Sequence, residues 1–142
     1  MRPREEPIGL ALSRTAKAVS RAFDEVLAAA GGSTPTWLVL LSLKTAAHRT
    51  QAELADVVGV RQPTLTHHLD GLERSGLVAR RRDPGNRRVQ LVTLTPAGEE
   101  LFLRLRQAAV AFDGRLRTGL DDAEIAELRG LLGRLATNVE AD

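Results

Sequence analysis

The sequence predicts a mainly α fold, a winged helix-turn-helix: two short helices joined by a tight turn, then a small β-hairpin, with longer helices at both ends of the chain. Three observations predict it. Apolar residues recur at spacings of three and four along six segments. Between Thr50 and Gly76, helix-start and helix-stop residues fall close enough together for two consecutive short helices. From Leu77 to Leu94 the helical period gives way to β-branched residues on either side of Asp83-Pro84-Gly85-Asn86.

Taken in order, the first helix runs from Ile8 to about Ala30, with Ile8, Leu12, Ala16, Val19, Phe23 and Val26 as its apolar seam, and Gly31-Gly32 stop it. Ser33, Thr34 and Pro35 open a second helix, which reaches about Ala47. Trp37, Leu38, Leu40, Leu41 and Leu43 make it apolar almost all round, so it belongs at the centre. Thr50 and Glu53 form a capping box for a short helix ending at Val58, and Gly59 suits the left-handed position after it. Pro63 sits in the first turn of the next helix, where its missing N–H costs nothing. Leu65, Leu69 and Leu72 face inward, and Gly76 ends the helix. Strands Leu77–Arg82 and Arg87–Leu94 join through Asp83–Asn86, where Pro followed by Gly fits the centre of a type II turn. Thr95-Pro96 starts a helix to about Gly119, with Leu101, Leu105, Ala108 and Phe112 on its seam. Asp121, with Glu124 three residues on, caps a last helix carrying Ile125, Leu128, Leu131, Leu132 and Leu135.

Composition narrows the function. The 142 residues make one ordinary domain, and 43% hydrophobic content is enough for a core; with only 3% aromatics, that core must come from Leu, Val and Ala. No apolar run reaches the roughly 18 residues of a membrane span, and MRPREEPIGLALS carries acids where a signal peptide has its apolar stretch. Cysteine is absent, which removes disulfides, thiolate metal sites and thiol redox sensing and fits a cytoplasmic location. No Gly-rich loop follows a strand, no nucleophile sits with a base, and Asp121-Asp122 is explained as a helix start, so an enzyme is not expected. His67 and His68 are neighbours, about 100° apart on a helix and poorly placed for one metal, so neither metal nor cofactor is expected. His48, near the end of the second helix, reads as a surface or capping residue.

Charge is unevenly distributed. Residues 61–90 hold seven arginines against three acids, whereas residues 91–142 hold six arginines against nine acids. A local basic patch on a near-neutral protein suggests a polyanion. With Leu65 pointing inward, Pro63, His67, Asp70 and Arg74 point outward, flanked by Thr64 and Thr66. Gln62, Thr64, Thr66 and His67 occupy the first turns, the part of a recognition helix that meets base edges when the helix enters a major groove about 12 Å wide. The arginine-flanked hairpin can reach phosphates or the adjacent minor groove, with Arg80, Arg81 and Arg82 divided between contact and solvent. A protein-interaction module is the alternative reading, but it does not explain polar side chains on the second helix together with arginines on the wing.

The stretch TQAELADVVGVRQPTLTHHLDGLERSGLVARRRDPGNRRVQLVTLTPAGEEL resembles the core of the MarR family of bacterial transcription regulators, most closely in PTLTHHLDGLERSGLV and RRVQLVTLTPAGEEL. The resemblance implies a homodimer on double-stranded, pseudo-palindromic operator DNA, usually as a repressor. Residues 1–33 and 100–142 would form the helical dimerisation region and residues 34–99 the winged helix. Thr50, Arg61, Gln62, Thr64, Thr66, His67, Arg82, Arg87 and Arg88 are the candidate DNA contacts. The resemblance also implies release by a small aromatic or phenolic anion bound between the two regions, with Arg14, Arg21 and Trp37 as candidate ligand residues, although Trp37 reads first as core packing. Two positions depart from the family. Its wing commonly reads Asp, any residue, Arg; here Asn86, Arg87 and Arg88 stand there, so Arg88 matches the minor-groove arginine while Asn86 replaces the aspartate that holds it. Asp83 is the alternative holder. His68 stands where the family has an apolar residue, on the inner flank, and needs a polar partner.

Overall fold

The computed structural model describes residues 5–46 and 48–140. The chain runs α1 (Ile8–Ala29), α2 (Thr34–Thr45), β1 (Arg49–Thr50), α3 (Gln51–Val58), α4 (Gln62–Arg74), β2 (Val78–Asp83), β3 (Asn86–Leu94), α5 (Pro96–Leu116) and α6 (Asp122–Glu140). Its contacts divide it into two compact units, one reaching Ala109 and one starting at Val110.

In the first unit, helix ends follow their local signals. Ser33 Oγ accepts the Thr36 N–H at 3.3 Å, and Pro35 lies in the first turn of α2. That helix stops at Thr45, short of the expected end; Ala47 lies outside the described residues. The Thr50–Glu53 capping box closes both ways: Thr50 Oγ1 accepts the Glu53 N–H at 3.1 Å, and Glu53 accepts the Thr50 N–H at 3.2 Å. The Thr50 hydroxyl beside the Glu53 carboxyl, then the Thr50 backbone N–H and the Arg49 guanidinium, hold that carboxyl below its ordinary pKa. Gly59 takes φ +77°, the left-handed conformation that lets α3 turn sharply into α4.

The core is built mainly of leucine and valine. Leu27, Val39, Leu40, Leu54, Leu65 and Leu69 are fully buried, and Leu101, Phe102 and Leu105 bring the first turns of α5 into the same cluster. Trp37 stacks on Phe102 with ring centroids 5.5 Å apart. The sheet has the order β1-β3-β2, antiparallel throughout. β1 was not expected. Its two residues pair Arg49 with Val92 and Thr50 with Leu91, which ties the start of the helix-turn-helix to the hairpin. A second tie joins the foot of the wing to α5. Thr95 Oγ1 donates to Gly76 O at 2.6 Å and accepts the Gly98 N–H at 3.1 Å. A Cβ on Gly98 would lie 2.1 Å from Leu77 O, so only glycine permits this approach.

The second unit holds the last turns of α5 and all of α6. Asp121 and Glu124 cap α6 reciprocally, as expected: Asp121 Oδ1 accepts the Glu124 N–H at 2.8 Å and Glu124 accepts the Asp121 N–H at 3.1 Å. No residue of α6 is buried. Ile125 and Leu135 are half-buried, while Leu128, Leu131 and Leu132 are 46%, 46% and 41% exposed.

Candidate nucleic-acid interface

Helix α4, the candidate recognition helix, is anchored by Leu65, Leu69 and Leu72, all buried. This seam turns Gln62, Thr64 and His67 to solvent, with Arg61 exposed at the N-cap. Thr66 behaves differently from its neighbours. It is half-buried; its Oγ1 donates to Gln62 O at 2.9 Å and accepts from Gln51 Nε2 at 2.9 Å. Its hydroxyl thus pins α3 to α4, a role that the sequence left invisible because Gln51 lies fifteen residues away. Thr50 is likewise half-buried, with its hydroxyl on the α3 cap.

Asp70, on the outward face as expected, is engaged. Its Oδ1 receives Arg80 Nη2 at 2.5 Å. Arg80 also donates from Nε to Glu73 Oε2 at 3.3 Å, and its backbone N–H reaches the same oxygen at 3.1 Å. The Arg80 side chain is only 16% exposed. The bond to Glu73, then that to Asp70, raises the Arg80 pKa further, and the same guanidinium lowers that of Glu73. Of the three arginines in a row, Arg80 is therefore a bridge between strand and helix, while Arg81 and Arg82 are exposed.

The wing tip departs from the expected turn. Gly85 does not take the positive φ that the centre of a type II turn requires. Instead Asp83 Oδ1 accepts the Gly85 N–H at 2.9 Å, and the strand register shifts between Arg82 and Asp83. A carboxylate two residues back thus supplies the turn with its acceptor. Beyond it, Asn86 Oδ1 accepts the Arg88 N–H at 3.2 Å, so the amide holds the backbone of Arg88 while Asp83 serves the turn. Arg82 Nη1 donates to Arg87 O at 3.4 Å across the tip, and the Arg82, Arg87 and Arg88 side chains are exposed.

His68 finds the partner its position demanded. Its Nε2 lies 3.5 Å from Thr36 Oγ1, and burial, followed by the nearby His67, depresses its pKa. Each candidate effector residue has its own surroundings. Arg14 pairs with Glu6 at 2.6 Å. Arg21 borders an open depression of about 490 Å³ on α1 with Ser13, Ala16, Lys17, Ser20 and Asp24. Trp37 is occupied by its stack on Phe102. His48 is exposed beyond the end of α2. Among the described residues, no three His, Asp or Glu side chains are grouped to hold a metal, and no single helix is long and apolar enough to cross a membrane.

Residues 33–89 match the model of the MarR family. Three solved structures illustrate the likeness. The transcriptional regulator PA3341 is 36% identical over 96% of this chain and 100% of its own, with a TM-score of 0.80. The transcriptional repressor CouR, bound to a 23-mer DNA duplex, is 30% identical over 92% of each chain, with a TM-score of 0.82. A mutant MarR from E. coli, complexed with operator DNA, is 29% identical over 91% of this chain and 93% of its own, with a TM-score of 0.81.

Proposed function

The chain belongs to the MarR family of transcription regulators, and on that premise we propose that it is a cytoplasmic repressor that binds a pseudo-palindromic operator as a homodimer and is released by a small aromatic or phenolic anion. One observation carries the reading. The exposed, acid-free start of α4, with Gln62, Thr64 and His67, accompanies a hairpin whose exposed tip carries Arg82, Arg87 and Arg88. Side chains of the first kind read base edges; cations of the second kind hold phosphates or enter the minor groove. The DNA complexes of MarR and CouR support the same use of the fold.

Dimerisation through residues 1–33 and 100–142 is supported by the apolar surface left on α6 and by Ile8 and Leu10 of α1, which are 68% and 61% exposed. A two-fold dimer sets its recognition helices about one DNA turn, roughly 34 Å, apart. Residues 34–99 then carry the DNA contacts, with the first turns of α5 completing their core. Anion release rests on the family resemblance. Arg21 and Lys17, which border the depression on α1, are the cations available to such a ligand, and Arg14 would exchange Glu6 for it.

Replacing Arg88 by Ala tests the reading. Binding to operator and to random duplex should weaken alike, and the dependence on salt should flatten by about one charge per subunit. Unchanged affinity and slope would remove Arg88 from the interface. Wild-type protein with no salt-sensitive affinity for any duplex would return the fold to protein interaction.

A further inference from the structure

Asp70 lies on the recognition helix one turn beyond His67, and Glu73 follows in the next turn; their side chains are 47% and 43% exposed. On the proposed reading, this is a helix that approaches DNA phosphates, where bare carboxylates oppose binding. Each carboxylate is instead bonded to Arg80, which reaches across from β2 and is itself largely covered. A guanidinium fork can serve two acceptors at once, which an ammonium does less well. The covered position of Arg80 leaves it little surface for a phosphate, in contrast to exposed Arg81 and Arg82 on the same strand.

We propose that Arg80 is a positioning residue of the DNA interface that acts through Asp70 and Glu73: it neutralises the two acids of the recognition helix and holds them away from the phosphates without touching DNA itself. The proposal rests on the DNA-binding reading, and it makes an interaction between substitutions the decisive property. Arg80→Gln leaves two carboxylates uncompensated, and affinity falls by about tenfold or more as like charges meet. Removing those carboxylates in the same protein, as Arg80→Gln/Asp70→Asn/Glu73→Gln, restores affinity to near the wild-type level. Because neutralising two acids strengthens binding to a polyanion by itself, the triple variant is compared with Asp70→Asn/Glu73→Gln. Once the acids are gone Arg80→Gln should cost little, whereas an arginine that contacts phosphate, or one needed only to hold the wing in place, would cost the same with or without them.

The experiment measures binding of the full-length chain to a random-sequence duplex at several salt concentrations, with thermal unfolding measured beside it. Wild type must bind with salt dependence; if it does not, the DNA-binding reading fails. If wild type binds, a triple variant as weak as Arg80→Gln, or an Arg80→Gln variant as tight as wild type, overturns the role of Arg80 alone. Should Arg80→Gln fail to fold, Asp70→Asn/Glu73→Gln with Arg80 intact decides the matter. It should bind as tightly as wild type or more so, and a loss of affinity overturns the proposal.

Discussion

Helices α4 and α6 carry leucines at similar helical spacing and meet different fates. In thirteen residues α4 buries Leu65, Leu69 and Leu72 against its own chain. In nineteen residues α6 buries none, and Leu128, Leu131 and Leu132 each leave two-fifths or more of their surface in water. The same contrast divides α1, whose Leu27 is fully buried while Ile8 and Leu10 near its start are mostly exposed. Apolar patterning therefore specifies a face to be covered and leaves open what covers it. In α4 the cover is intramolecular; in α6 it is supplied, in the proposed dimer, by a second copy.

The same substitution made on both helices puts this contrast to its hardest test. Leu69→Ala should cost about 3 kcal/mol of unfolding free energy, because it leaves a cavity in a closed core, and the cost should not vary with protein concentration. Leu131→Ala should destabilise in a concentration-dependent way, since in the proposed dimer its cover is a partner. Equal, concentration-independent losses in denaturant titrations would erase the distinction. The next effect separates folding from assembly. Leu128→Asp/Leu132→Asp should yield a folded monomer whose operator affinity falls by about a hundredfold, as the second half-site loses its tether. A dimer by sedimentation with undiminished affinity would show that α6 is covered in some other way.

Smaller effects probe the closed core alone. Ser42 Oγ is buried without a hydrogen-bond partner among the described residues. Ser42→Ala should therefore raise stability by about 1 kcal/mol, the reverse of a typical core truncation. A loss on this substitution would reveal a bond to the hydroxyl. The smallest effect is that of His68. Its pKa is depressed in the folded protein by burial. Above pH about 6.5 the ring is neutral in both states and has no effect. As pH falls below that value the unfolded chain takes up the proton first, so stability declines until pH passes the folded value. His68→Gln, which can still bond Thr36, should remove this component. An unchanged pH profile would assign the acid sensitivity to another group.

Local chemistry was readable in advance wherever a few neighbouring residues decide the outcome. The Thr50–Glu53 box, the left-handed Gly59, Pro63 in a first turn and the Leu65–Leu69–Leu72 seam are signals of this kind, and all are realised. What escaped depends on residues brought together by the fold. Two-residue β1 is too short to show a period and exists because Val92 and Leu91 pass beside it. The Arg80 bridge spans seven and ten residues across the corner at Gly76, and a row of three arginines gives no reason to single out the first. Gln51 claims the Thr66 hydroxyl from a different helix. At the wing tip, Pro-Gly pointed to one turn, but Asp83 supplied a competing acceptor to the Gly85 N–H.

Thr50 belongs to two structures at once, and this has a kinetic consequence. Its backbone is a rung of the sheet opposite Leu91, while its hydroxyl caps α3. An eight-residue helix has little persistence by itself, because nucleation is costly and few bonds follow. The extended conformation that lets Thr50 cap α3, with φ −75° and ψ 156°, is the one that the ladder to β3 holds in place. Folding of α3 is thereby coupled to a contact distant in sequence, the kind that slows a mainly helical protein. Helix α3 should therefore gain persistence only as β1 docks on the hairpin, so that loosening the Thr50–Leu91 rung speeds amide exchange in α3 as well as in the strand.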